Sequence, residues 1–146
     1  MTRDLDAPIP APVWPDETTV RALKPGDEGH LHALLTQAYA TGGSSIPAFG
    51  TWRRELFEDE EFDAALCFLA VDDGGRLLGA AQCWTSAFVK DLAVRADQRR
   101  KGIGRALLLT AFQAFAERGE PAVDLKVHDD NAPALAFYRS VGMTPI

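Results

Sequence analysis

The chain is poor in the residues that staple or ligate, with 2 cysteines and 3 histidines among 146 residues. Cys67 and Cys83 stand singly inside apolar segments, without a CxxC pair or Cys/His spacing, which excludes a disulfide framework and the usual zinc patterns. They read as two small buried thiols in a reducing compartment. His30, His32 and His128 are too scattered to form a ligand set, so no metal is expected. Long hydrophobic runs are also missing. The longest, around Ala64 to Val71, falls far short of the roughly 18 residues of a membrane span. Positive charge is in deficit: the net charge is −6 and the pI about 5.0, a field that opposes nucleic acid and anionic membrane surfaces as partners. Met1 to Asp16 carries Arg3, Asp4 and Asp6 and then Pro8, Pro10, Pro12 and Pro15, which is neither a signal sequence nor a transit peptide. The expected compartment is the cytoplasm.

What is present suits a packed domain. The hydrophobic share is 47% and the charged share 25%, and a chain of this length buries about two thirds of its unfolded surface in a single core. Residues 1–17 read as a proline-rich arm lying outside the domain or along it, because each proline removes a donor and extends its predecessor. The domain itself is expected over 18–146. Thr18 to Leu23 alternates as a half-buried strand before Pro25-Gly26. Asp27 is placed to cap a helix whose apolar positions are Leu31, Leu34, Leu35 and Tyr39, with Gly42-Gly43 ending it. Gly43 to Gly50 reads as a loop and Thr51 to Phe62 as a second helix with an acidic, solvated end. Ala65 to Val71 is a strand covered on both faces, joined through Asp72-Asp73-Gly74-Gly75 to a strand over Leu77 to Trp84. Phe88 to Val94 is a further strand, Gly104 to Arg118 the clearest helix, Ala122 to Val127 a short strand, and Ala132 to Ser140 a short helix stopped by Gly142. The resulting order, βααβββαβα with a final extended piece, predicts a mixed α/β (α+β) fold.

The chemistry concentrates where the strand Asp91-Leu92-Ala93-Val94 runs through Gln98-Arg99-Arg100-Lys101-Gly102-Ile103-Gly104-Arg105 into the long helix. Glycines let the backbone approach a ligand, and the first turn of a helix offers unpaired N–H groups carrying partial positive charge. Such a turn cradles phosphate. It is not a Walker loop, because Gly104 is followed by Arg105-Ala106. It is not the dinucleotide fingerprint either, since Leu107 stands in the place of the third glycine. Taken alone, the segment is equally compatible with a plain turn beside a solvated basic patch.

With its context, the segment resembles the acetyl-CoA site of the GNAT superfamily, whose Arg/Gln-x-x-Gly-x-Gly/Ala signature is met by Arg99, Gly102 and Gly104. The resemblance implies a mixed, mostly antiparallel sheet flanked by about four helices, with two strands splayed around the CoA arm. It also implies that the amides from Arg100 through Lys101, Gly102, Ile103 and Gly104 to Arg105 hold the pyrophosphate, while Leu92, Ala93 and Val94 pair with the pantetheine. Downstream, Asn131 to Met143 looks like the family's Asn-x6-Tyr helix ending in Gly-Met, 27 residues beyond Gly104. By that likeness Asn131 contacts the cofactor arm and Tyr138 protonates the departing thiolate.

Two departures matter for the chemistry. Where ribosomal-protein-acetylating relatives carry a glutamate base, this chain has Lys126, which leaves Asp91 and His128 as candidate bases beside a water relay or an acceptor that arrives neutral. Relatives also continue past the Gly-Met into closing strands. The sheet is then short at that end, completed by the arm, or completed by a partner chain, which would make a homodimer. The implied activity is acetyl transfer from acetyl-CoA to a primary amine of a small molecule or peptide, and the acidic surface fits a cationic acceptor. The competing readings are an acyl-CoA sensor that has lost turnover, and an ATP-binding domain disfavoured by the lack of a Mg²⁺ partner for the loop.

Overall fold

The computed structural model describes residues 1–40 and 45–146. The expected helix stop at Gly42-Gly43 and the first part of the loop from Gly43 lie outside the described residues. The elements are β1 (Thr2–Asp4), β2 (Thr18–Ala22), α1 (Glu28–Tyr39), α2 (Phe49–Phe57), β3 (Phe62–Asp72), β4 (Leu77–Trp84), β5 (Phe88–Val94), α3 (Ile103–Glu117), β6 (Ala122–Leu125) and α4 (Ala132–Ser140). The six strands form one sheet in the order β1-β6-β5-β4-β3-β2, antiparallel throughout except for the parallel pair β5 and β6. This is the mixed, mostly antiparallel sheet with four helices that the resemblance implied.

The sheet is covered on both faces, which explains the near-continuous apolar runs of β3 and β4. On one face α3 lays Ile103, Leu107, Leu108, Ala111, Phe112 and Phe115 over Leu66, Phe68, Leu78 and Val123. On the other, Leu31, Leu34 and Leu35 of α1 and Trp52 and Leu56 of α2 cover Cys67, Leu69, Val71, Ala80 and Ala93. Cys67 and Cys83 are fully buried, and burial pushes the Cys67 thiol up to about 12. Neither is a nucleophile at neutral pH. No helix among the described residues is long and apolar enough to cross a membrane, and no cluster of three or more His, Cys, Asp or Glu is placed to hold a metal.

Three expectations need correction. The arm takes the second of its two expected placements, along the domain, so the sheet does not begin at residue 18: Thr2, Arg3 and Asp4 form the edge strand β1 on β6, and Thr2 exchanges two backbone hydrogen bonds of 2.8 Å with Thr144. Of the outcomes open for that edge of the sheet, the structure takes completion by the arm. Secondly, Asp27 does not cap α1, because its carboxylate instead accepts from the Arg21 guanidinium at 2.7 Å and 2.9 Å and from the Lys24 N–H at 2.7 Å. Thirdly, α2 ends at Phe57. Asp59 accepts from the Glu61 N–H at 2.8 Å, a local bond that competes with the helix, and Phe62 pairs across to Trp84 in the sheet.

Two tight spots fix the layers. At Gly79 a Cβ would lie 3.0 Å from the Ala93 carbonyl oxygen, 3.1 Å from Ile103 and 3.2 Å from Leu107, so α3 sits on β4 as closely as a bare backbone allows. At the end of α4, Gly142 takes φ of +90°, its N–H bonding to the Arg139 carbonyl and that of Met143 to the Tyr138 carbonyl, both at 3.0 Å. This is the Schellman closure, and it anchors the last turn carrying Tyr138. Replacing Gly79 by Ala is expected to lower stability by about 1–3 kcal/mol through overpacking, read as a shifted denaturation midpoint at unchanged slope. An unchanged midpoint would show that α3 is free to lift.

Candidate functional site

The site originates in how β5 leaves its neighbours. Against β4, Gln82 faces Asp91 while Cys83 faces Val89, so Lys90 is an extra residue in β5, a bulge that bends and twists the strand. Against β6 the pairing lasts for only Phe88↔Asp124 and Val89↔Leu125. Beyond Lys90, β5 stays on β4 as far as Val94, and its other edge opens. Backbone groups along Leu92 to Val94 thus face a cleft instead of a strand, the arrangement that accepts an extended ligand by strand addition.

That cleft is a groove of about 670 Å³. Leu92, Ala93 and Val94 form one wall, Arg99, Arg100, Gly102, Ile103, Gly104 and Arg105 the end, and Asn131, Pro133, Ala134 and Phe137 of α4 the other wall. Ten of the residues expected to hold the cofactor from sequence converge on it. Gly102 is the N-cap of α3 with φ of +88°, and the first intrahelical bond runs from the Ala106 N–H to the Gly102 carbonyl at 3.0 Å. The N–H groups of Ile103, Gly104 and Arg105 are therefore left without helical acceptors. Arg100 also sits at φ of +66°, a conformation uncommon for a side-chain-bearing residue and found at ligand clamps. Arg99, Arg100, Lys101 and Arg105 make no salt bridge among the described residues, so four cations surround the helix start of an acidic protein. Such a site suits a polyphosphate.

Two expected residues lie outside this groove's walls. Lys101 is exposed and donates to Gln98 at 3.2 Å. Tyr138 lines an adjoining pocket of about 330 Å³, which shares Ala38, Tyr39, Leu92, Asn131 and Ala134 with the groove and adds Lys90, Lys126 and His128. Asn131 caps α4, its side-chain oxygen accepting from the Ala134 N–H at 3.2 Å, which leaves its amide NH₂ to donate elsewhere.

Asp91 is buried, and its carboxylate forms no part of either wall. Its Oδ1 accepts from the Tyr39 hydroxyl at 2.9 Å and its Oδ2 from Lys90 Nζ at 3.1 Å. Tyr39 is the residue sequence reasoning missed. Its helical spacing assigned it to the core of α1, yet its ring stands at the junction of groove and pocket. It and Tyr138 are the only 2 tyrosines of the chain, and both face the same pocket. Burial above all, and then the Asp91 charge, hold the Tyr39 phenol well above its ordinary value, and burial raises Tyr138. Both are neutral donors through the physiological range.

Comparisons with known proteins bear on the family and the fold. The model of the acetyltransferase (GNAT) family matches residues 26–143. The mycothiol acetyltransferase of Thermomonospora curvata is 35% identical, over 95% of this chain and 48% of its own length. That of Salinispora tropica is 35% identical over 97% and 50%. The chain thus spans about half the length of these curated relatives. Among solved structures, a GCN5-related N-acetyltransferase from Sphaerobacter thermophilus superposes with a TM-score of 0.83 at 31% identity, over 98% of this chain and 46% of that one.

Because both phenols are raised, neither should ionise at the usual pH near 10 while the protein is folded. Groups raised on folding contribute stability that is complete below the unfolded value, so stability should fall as pH climbs above about 10. Tyrosinate absorbance with a normal midpoint in a still-folded protein would overturn this placement.

Proposed function

Because the chain belongs to the acetyltransferase (GNAT) family, we propose that it transfers the acetyl group of acetyl-CoA to a primary amine at the junction of the groove and its adjoining pocket. The observation that carries this reading is the pairing of an unpartnered strand edge with a cationic helix N-terminus in one continuous cleft. The residues present fit the co-substrate. The free N–H groups of Ile103, Gly104 and Arg105, with Arg99 and Arg100 beside them, suit a pyrophosphate. The open edge of Leu92 to Val94 suits the amide-bearing pantetheine arm, and Asn131 has an NH₂ to donate to it. When bound, acetyl-CoA supplies an activated acyl carbon and a thiolate leaving group.

The chain's own residues then have separable tasks. A backbone N–H on the open edge of β5 stabilises negative charge developing on the acyl oxygen. Tyr138, neutral and raised by burial, gives its proton to the departing sulfur only as charge appears there. Asp91 does not reach the pocket itself, so in this scheme it acts through Tyr39, orienting the hydroxyl that borders the site. His128, on the pocket wall, is the group placed to take the proton of the incoming amine, directly or through water. The relatives' name, mycothiol acetyltransferase, is consistent with a small-molecule acceptor of the class this pocket is proposed to serve.

Two measurements test the assignment. Gly104→Asp should fold, since a Cβ there meets Phe137 and Val94 at an ordinary 3.6 Å, but it puts a carboxylate where the phosphates belong. The thermal stabilisation that CoA gives the parent protein should vanish in the variant. Stabilisation equal to the parent's would remove the cofactor site from this groove. Tyr138→Phe should leave CoA affinity nearly unchanged while kcat falls on the order of 10²-fold. Parental kcat would refute the acid role, and CoA binding without transfer to any amine would instead favour a sensor.

A further inference from the structure

The pocket that adjoins the groove has the opposite electrostatic character to the protein around it. The whole chain carries −6, yet the ionisable side chains on the pocket walls, apart from the two phenols, are Lys90, Lys126 and His128. Lys90 is committed, lying 3.1 Å from Asp91 and over the Trp84 ring at 5.8 Å. Lys126 and His128 make no salt bridge among the described residues. No carboxylate lines the same walls. Asp91 has both oxygens engaged behind Tyr39, Asp124 lies on β6 outside the walls, and Asp129 and Asp130 lie in the loop that follows, also outside them.

We propose that the acceptor amine also carries a carboxylate, as a free amino acid does, and that Lys126 holds this carboxylate while Tyr39, Tyr138 and His128 border the amine. The proposal rests on the acetyl-transfer reading above and replaces the cationic acceptor that overall charge suggested. Three features support it. A carboxylate is what a wall carrying Lys126, free of any salt bridge among the described residues, binds best, while Tyr39, whose proton goes to Asp91, offers oxygen lone pairs to the amine. The volume, about 330 Å³, sits at the small end of ligand pockets, which suits a metabolite better than a polymer. The apolar part of the lining, Val89, Leu92, Leu125 and Val127, accommodates a modest side chain.

The same charges address the missing glutamate base. An ammonium entering beside Lys126 meets a like charge, which disfavours its protonated form and eases loss of the proton before attack. The proton so released passes to His128 or to water, so Lys126 eases the step without itself acting as the base.

The test uses matched acceptors with acetyl-CoA, followed by free-thiol release: L-alanine, L-alaninamide and ethylamine, then L-methionine, L-methioninamide and 3-(methylthio)propylamine. The acids are expected to exceed their amides and decarboxylated amines in kcat/KM by at least 10-fold, although the amide's less basic amine is more often neutral. Lys126→Glu is expected to cut the acid-to-amide ratio at least 10-fold, with Lys126→Met as a second variant should the glutamate unfold the chain. Amides or simple amines used as well as acids, or an unchanged ratio in a folded variant, would overturn the carboxylate proposal and leave acetyl transfer standing. Transfer to no member while CoA still raises the melting temperature would overturn both.

Discussion

The parting of β5 from β6 after two residue pairs is the constraint on which the site depends. A sheet gains by continuing its ladder, and unpaired backbone groups cost about 1–3 kcal/mol each if they are also buried. Here they are not sealed in: the opened edge borders a groove of about 670 Å³. The bulge at Lys90 turns β5 away without taking it off β4, so a single inserted residue makes a strand that is paired on one edge and faces a groove on the other. The helix start at Gly102 then stands at the end of that edge because the chain leaving Val94 needs only a short connection to reach it.

An opened sheet must be held from outside, and Arg3 does much of this. Its guanidinium is buried without a carboxylate partner and donates to the carbonyls of Asp4, Ala7, Pro8 and Val141, with its face over Phe112 at 5.5 Å. Carbonyl dipoles and an aromatic face satisfy the charge where an ion pair is absent. One side chain thereby ties β1 and the arm to the end of α4 and to α3. These ties fasten the end of α4, which carries one wall of the groove, to the arm.

How much of this was legible follows from range. The strand, glycine turn and long helix were readable because periodicity and φ requirements are local, and Gly102 and Gly104 fall where the motif puts them. The pairing of Thr2 to Asp4 with β6 was not, because a three-residue edge strand with prolines soon after it has no local signal and is defined by partners about 120 residues away. Tyr39 was misread for a related reason. At the end of an amphipathic helix its spacing is that of a core residue, and only the position of Asp91 on a distant strand shows that its hydroxyl reaches a buried carboxylate. Asp91 was found as a titratable residue beside the cofactor strand, but sequence does not reveal that Lys90 and Tyr39 stand between it and the pocket.

Charge is where whole-chain reasoning and local structure diverge most. A net −6 summarises a surface on which acidic side chains cluster at places such as Glu58 to Glu61, far in sequence from the cleft. Potential at a site is set by charges within about a Debye length, roughly 8–10 Å at physiological salt, and by how completely each is already paired. In the groove the cations Arg99, Arg100 and Arg105 carry no salt bridge among the described residues, while elsewhere Arg21, Arg76, Arg95 and Arg118 are matched to Asp27, Asp97 and Asp63. Several cations without a salt bridge among the described residues, Arg99, Arg100, Arg105 and Lys126, are thus gathered along one connected cleft, while Arg3, Lys24, Arg54 and Arg139 stand without one elsewhere. An anion entering the cleft meets several cations at once that are not already paired. The discrimination comes from the pairing pattern, which a count of charges does not contain.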